Sequence, residues 1–528
     1  MSQQASLLQH INEGYTFKGD FIEIGTAMLE GACVQGAMIK LPLKTINRHG
    51  LIAGATGGGK TKTLQILAEH FSEKGIPSLL MDIKGDLSGI AMPGTDNAKI
   101  QERHHKIGLP FTPSGSPVEF LTLSNEKGAR LRATVTEFGP VLFSRILDLN
   151  DTQAGIMAVV FKYCDDHNLP LLDLDDIRKV LQYITGPGKE EIESVYGRVG
   201  TDSVGTMMRK IVELEQQRAD LFFGERSFEV EDLCRTDEQG RGIISVVRLT
   251  DIQDRPKLFS TFMLQMLAEI YATFPEAGDL DKPKLTIFID EAHLVFDEAS
   301  KALLDQIEAI VRLIRSKGVG IFFVTQNPAD IPESVLGQLG MKVQHALRAF
   351  TAKDRKAIKL AAENYPITDF YDVERIITEL GIGEALFTTL NEKGIPTPLA
   401  HVMLRAPQSR MDVLTDAEVD AIIGKSQLVR KYNETIERES AHEILTEKMN
   451  EAFEAEKQEE LKKQQEKARS TGTRSTGSRR QEKSTLEQIV DSPTTRQIGR
   501  TIARELTRGL LGVLGVGGTS RRRKSGWF

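Results

Sequence analysis

Residues 48–61 read RHGLIAGATGGGKT, with Gly54 followed five positions later by Gly59, Lys60 and Thr61. That is the G-x-x-x-x-G-K-[ST] spacing of a phosphate-binding loop. Glycines at 54, 57, 58 and 59 permit positive φ and carry no Cβ, so successive backbone N–H groups can converge on phosphate oxygens. The spacing sets Lys60 between β- and γ-phosphates and gives the Thr61 hydroxyl to Mg²⁺. The expected nucleotide contacts are Gly54, Ala55, Thr56, Gly57, Gly58, Gly59, Lys60, Thr61 and Lys62. A glycine-rich turn matching by chance is the plain alternative.

Two further stretches carry complementary chemistry. Residues 285–291 read LTIFIDE, an apolar run ending in adjacent carboxylates. Buried acids without a partner are costly, so the pair argues for a metal. Asp290 is the expected second Mg²⁺ contact, and Glu291 the base that deprotonates the water attacking a γ-phosphate. Residues 319–325 form another apolar run, closed by Gln326-Asn327-Pro328. A neutral amide there would hold the attacking water or report nucleotide state; capping a loop is its plainer role.

These residues need a scaffold that gathers them. The loop follows a short strand (51–53) and precedes a helix (63–71) whose N-terminus faces the anion. Ile76 to Asp82 fits a buried parallel strand beside the first one. Its tail, Asp82-Ile83-Lys84-Gly85-Asp86, is either a source of site carboxylates at a strand's C-terminal end or an ordinary polar turn. Further strands are expected at 242–247, 285–289, 319–325, 343–349 and 384–390, with a helix over 298–315. Residues 14–46 read as a small sheet or edge hairpin. Helical spacing over 138–185 and 203–221, with Asp151 and Asp173 as caps, makes 100–240 a mainly helical insertion.

At 528 residues two or three structural units are expected. Apolar content of 40% and charged content of 27% are ordinary for a globular protein. Cys33, Cys164 and Cys234 lack metal-type spacing. No basic, apolar leader opens the chain, and no apolar run approaches the ~20 residues that span a bilayer, so the cytoplasm is the expected location.

The net charge of −7 is uneven. Residues 468–528 hold 13 lysines and arginines against 4 acids, a net of +9, which leaves −16 on the rest. Residues 411–467 read as charged, solvated helices with Ile436, Leu445 and Phe453 docking one edge. Residues 468–485 read as a linker. Beyond it, Arg496, Arg500, Arg504 and Arg508 alternate with Ile498, Ile502, Leu506, Leu510 and Leu514, an offset of about 200° around a helix. Such a basic amphipathic tail suits nucleic acid, an anionic membrane surface, its own copies, or simple packing on the body.

GATGGGKT after RHGLIAG, then DIKGDLSG, LTIFIDEAH and SKGVGIFFVTQNPADIP, resemble in that order the HerA/FtsK branch of P-loop ATPases, and more closely its bacterial HerA-like family. The resemblance spans roughly residues 15–410. It implies an α/β fold: a RecA-like P-loop NTPase core with a parallel-rich sheet, a helical insertion and a charged helical C-terminal tail. The segments would be 1–47, a short β-leaning piece; 48–99 with 241–410, the core; 100–240; 411–467; and 468–528. It further implies ATP and Mg²⁺ as cofactors, a homo-oligomer (a hexamer in the wider branch) and DNA as substrate. A ring ATPase also completes its site with a neighbour's arginine, for which Arg312, Arg315 and Arg348 stand near strand ends. Two departures bear on DNA translocation more than on hydrolysis. Only 1–47 precede the loop, where the branch often has a β-barrel, and Gln-Asn-Pro replaces Gln-Arg-Pro.

The leading expectation is therefore an Mg²⁺-dependent ATPase driving movement on nucleic acid. The rival is a non-motor ATPase regulating a protein or membrane partner through its basic tail. A small-molecule kinase would share the loop but has no need of the Asp290-Glu291 pair or Gln326.

Overall fold

Short, mainly apolar runs fit strands buried on both faces, and the central strands are of this kind. A computed structural model describes residues 2–471 except 254, 297–300, 435 and 437. Among the described residues twelve strands make one sheet. They are β1 (Phe21–Leu29), β2 (Ala32–Pro42), β3 (Gly50–Ala53), β4 (Ser78–Asp82), β5 (Val118–Thr122), β6 (Ala129–Arg130), β7 (Ile244–Arg248), β8 (Leu285–Ile289), β9 (Val319–Thr325), β10 (Met341–Gln344), β11 (Glu384–Thr388) and β12 (Ala400–Leu404). Their order is β2-β1-β12-β11-β10-β3-β9-β8-β4-β7-β5-β6.

From β10 to β6 every pairing is parallel. β3, β4, β8 and β9 are buried along their whole length. The other wing, β11, β12, β1 and β2, is antiparallel. Its outer strand β2 mixes exposed with buried positions, as a half-covered edge must. The expected N-terminal hairpin is thus β1–β2, extending the main sheet through β12.

The loop helix, Lys60–Glu73, packs Phe71 against Phe288 of β8 and Phe322 of β9, with ring centroids 6.1 and 5.8 Å away. The two strand rings stack on each other at 4.7 Å. Gly50 makes room for this cluster, since a Cβ there would lie 2.6 Å from the Phe322 ring. Such aromatic contacts add about 0.5–1.5 kcal/mol to the burial of the rings themselves.

The described residues divide into two units, Met1–Asp148 with Leu214–Arg438, and Leu149–Glu213 with the chain from Glu439 on. The sheet belongs to the first. In the second, Leu445 of helix Ala441–Thr471 is buried, in a stretch that packs on helix Leu174–Thr185. None of the described helices is long and apolar enough to cross a membrane.

Several expectations need correcting. β4 does not neighbour β3: it lies between β8 and β7, because β9 and β8 intervene. The stretch 100–240 is not simply helical, since β5 and β6 extend the sheet from within it. Helix Asp151–Asp166 is capped by Asn150 rather than Asp151, whereas Asp173 caps Leu174–Thr185 as expected. Phe453 is exposed at 44%, so it docks no edge. The helix over 298–315 is described from Lys301 to Ile314, and residues 298–300 lie outside the described set. Backbone helix continues through Thr471, and the expected basic tail lies outside the described residues.

Candidate active site

Register decides which residues meet. β3 pairs with β9 so that Ala53 lies opposite Thr325, and β8 pairs with β9 so that Ile289 lies opposite Phe323. Counting onward, Gly54 falls level with Gln326, and Glu291 one residue short of them, level with Thr325, all at the C-terminal end of three adjacent strands. Neighbouring strands are about 4.8 Å apart, so the glycine loop and the acid pair stand roughly 10 Å from each other with the amide between them. Backbone bonds fix the level: Gly54 donates to the Thr325 carbonyl at 3.2 Å and Ala292 to the Val324 carbonyl at 2.9 Å.

The loop has the shape its sequence announced. Gly54 and Gly59 have φ of 152° and 112°, values that an L side chain rarely adopts. Gly59 begins the helix and no side chain caps it, which leaves first-turn N–H groups to meet an anion. Lys60 is buried, its Nζ donating to the carbonyls of Gly54 at 2.7 Å and Ala55 at 3.3 Å. Burial and the neighbouring Lys84 charge lower its pKa, and Glu291 and Asp290 oppose them. The ammonium therefore senses both carboxylates. Lys62 turns aside, donating to the Met411 carbonyl at 2.5 Å.

Asp290 is 1% exposed and its Oδ2 accepts no hydrogen bond. Burial pushes its pKa up to about 6 against the pull of Lys84, with Glu291 adding to the rise. A buried carboxylate oxygen without a hydrogen bond suits a hard cation such as Mg²⁺. The partly exposed Thr61 hydroxyl is the other oxygen at hand.

Glu291 takes a left-handed backbone, φ 47°, immediately after Asp290. That conformation costs a residue other than glycine roughly 1 kcal/mol or more. Its carboxylate pairs with Lys84, lies 3.2 Å from His293 Nδ1 and receives the Gln326 amide at 3.5 Å. Burial works to raise its pKa, but Lys84, His293 and Gln326 together bring it below the usual glutamate value. Asn327 and Asp330 form a capping box around Pro328–Asp330, so the Gln-Asn-Pro asparagine is structural.

The open question at Asp82–Asp86 resolves residue by residue. Asp82 accepts backbone N–H bonds from Gly85, Asp86 and Leu87 at 2.8, 3.1 and 3.2 Å, so it is the turn's own cap. Burial and Asp86 push its pKa up to about 7. Lys84 is what reaches the site, 4.0 Å from Asp290 and paired with Glu291. Reading this strand end for acids missed it; a lone lysine between acids at a strand terminus was the available signal.

The arginines separate. Arg348 donates to the Thr378 carbonyl at 2.6 Å and lines a cavity of about 470 Å³ with Ala55, Thr56 and Gln326, beside its own loop. Arg312 and Arg315 line a different cavity of about 500 Å³ with Arg48, near the N-terminal ends of β3 and β9.

A parallel sheet with the amide strand inserted between the loop strand and the acid strand is the arrangement of a RecA-like P-loop core. The chain belongs to the Helicase HerA-like C-terminal family, whose model matches residues 28–522. It is 22% identical over 354 residues to the DNA double-strand break repair helicase HerA of Sulfolobus acidocaldarius, covering 66% of this chain and 63% of that protein. Against the protein of the same description from Saccharolobus solfataricus it is 23% identical over 355 residues, with the same coverage. The chain thus spans 63% of the length of these curated relatives. Among solved structures it resembles the bacterial conjugative coupling protein TrwBdeltaN70, at TM-score 0.48 and 13% identity, over 78% of this chain and 94% of that one.

Proposed function

We propose that the protein is an Mg²⁺-dependent ATP hydrolase of the HerA type, working as a homo-oligomeric motor on DNA. The observation that carries the chemistry is the convergence of Gly54, Glu291 and Gln326, within one residue of register, at one end of the sheet. The family carries the substrate, through relatives described as DNA double-strand break repair helicases.

The roles follow from the atoms in place. Backbone N–H groups of 57–61 take phosphate oxygens, and Lys60 Nζ, already held at the loop's mouth, neutralises the β–γ bridge. Asp290 and Thr61 would hold Mg²⁺, which would add neutralisation of phosphate charge. Gln326 orients a water, and Glu291 accepts its proton as the water oxygen bonds to the γ-phosphorus. The bond from that phosphorus to the bridging oxygen breaks, and ADP leaves with the electron pair. Lys84 keeps Glu291 ionised and oriented.

Arg312 and Arg315 cannot serve their own loop. β9 is seven residues long, so it separates them from it by roughly 23 Å. Of the two we assign Arg315 to a neighbouring subunit's nucleotide, and Arg348 to the cavity beside its own loop. A ring, hexameric by family resemblance, brings both together.

The test is the ATPase rate of the full chain with and without duplex or single-stranded DNA, alongside particle size with nucleotide bound. A motor speeds up on DNA and runs as an oligomer. A rate indifferent to DNA favours the regulatory ATPase instead.

A further inference from the structure

His345 follows β10 and lies wholly buried under the glycine loop. The approach is close enough to depend on glycine: a Cβ on Gly54 would lie 2.5 Å from His345 Cβ, and one on Gly58 3.2 Å from the same atom. The backbone is tied here as well, His345 N–H donating to the Ala53 carbonyl at 2.7 Å and Ala55 N–H to the Ala346 carbonyl at 2.7 Å.

The ring has one consistent hydrogen-bonding pattern. Nδ1 lies 2.9 Å from the Glu384 carbonyl oxygen, which can only accept, so Nδ1 carries the proton. Nε2 is then an acceptor, and the Thr63 hydroxyl donates to it at 2.8 Å. Burial holds the ring's pKa down to about 4, so this neutral form prevails at pH 7. Thr63 sits in the first turn of the loop helix and Glu384 opens β11. The far anchor is itself pinned. Arg103 donates to the carbonyls of Ile382, Gly383 and Leu404 at 2.8, 3.2 and 3.0 Å. The Glu384 carboxylate also receives the Gly381 N–H at 3.0 Å and lies 3.2 Å from His401.

We propose that His345 is a positioning residue for nucleotide, a strut that braces the glycine loop and its helix through Thr63 against β11, holding the loop in its phosphate-receiving shape. The proposal rests on the loop being a nucleotide site. His345 touches no phosphate, so removing its bond to Thr63 should loosen nucleotide binding while leaving the hydrolytic groups at β8 and β9 where they are.

The experiment uses the full chain and four variants, Thr63→Val, Thr63→Ser, His345→Asn and the Val/Asn double, with Lys60→Ala as control. His345→Asn keeps a donor near the Glu384 carbonyl but cannot reach Thr63. Thr63→Val and His345→Asn should each raise KM for ATP and Kd for ADP about tenfold, with kcat within about twofold, since one buried hydrogen bond is lost. The double should match either single, because all three break the same bond. Thr63→Ser should restore wild-type KM. Unchanged KM in Thr63→Val, a fall in kcat instead of a rise in KM, a lowered thermal midpoint at constant KM, or a double loss equal to the product of the singles each overturns the strut. If Lys60→Ala abolishes binding while Thr63→Val does not alter it, the strut alone fails. If Lys60→Ala also binds normally, the nucleotide site fails with it.

Discussion

At the scale of single residues, Glu291 is the most constrained group in the site. It has a left-handed backbone, a lysine partner and an amide at 3.5 Å. Glu291→Gln removes the proton acceptor but keeps the shape, so ATP should still bind while kcat falls by about 10²-fold or more. Single-turnover hydrolysis measured alongside equilibrium binding checks this, and hydrolysis at the normal rate would remove Glu291 from its role. Lys60→Ala acts earlier. It deletes the cation facing the phosphates, so nucleotide affinity itself should drop, which titration with ATP reads directly. The two variants thus separate binding from chemistry.

At the scale of elements, the sheet is clamped from its N-terminal side by His49. Nε2 donates to the Val311 carbonyl at 2.9 Å, and Nδ1 accepts the Ile321 N–H at 3.0 Å. This joins β3, β9 and the helix Lys301–Ile314. Burial, only partly offset by the Val311 bond and helped by the Arg315 charge, lowers its pKa to about 4. The sign follows from which state binds the proton first. Between pH 6.5 and about 4 the unfolded chain protonates His49 and the folded chain does not, so stability falls as pH falls through that window. A shift of this size corresponds to about 3 kcal/mol at most. In His49→Gln, an amide that can both donate and accept, the loss of thermal midpoint from pH 7 to pH 4.5 should be smaller than in the wild type. An equal loss in both proteins would contradict this assignment.

At the scale of the whole molecule, the arginines predict how subunits cooperate. In the proposed ring, a site at one end of the strands and Arg315 at the other would meet across a head-to-tail contact. Arg315→Ala and Glu291→Gln should each be inactive alone. Mixed in equal amounts, some interfaces pair an intact Glu291 with an intact Arg315, and random assembly should restore about a quarter of wild-type activity. No recovery in mixed oligomers would mean that Arg315 does not act across the interface.

The sequence by itself determined the glycine cradle, the adjacent acids, the lone amide and the buried strands that carry them. Each of these is written in a local run, because a phosphate loop needs contiguous N–H groups and a doubly buried strand needs contiguous apolar residues. Tertiary structure alone decided which strand neighbours which, and so corrected the place of β4 and added β5 and β6 to the sheet. It also decided that Asp82 caps its own turn while Lys84 reaches Glu291, and that His345 bonds to Thr63, 282 residues earlier in the chain, beneath the glycine loop. The physical reason is the same throughout. Register and burial set which side chains share a low-dielectric space, and neither is carried by spacing along the chain.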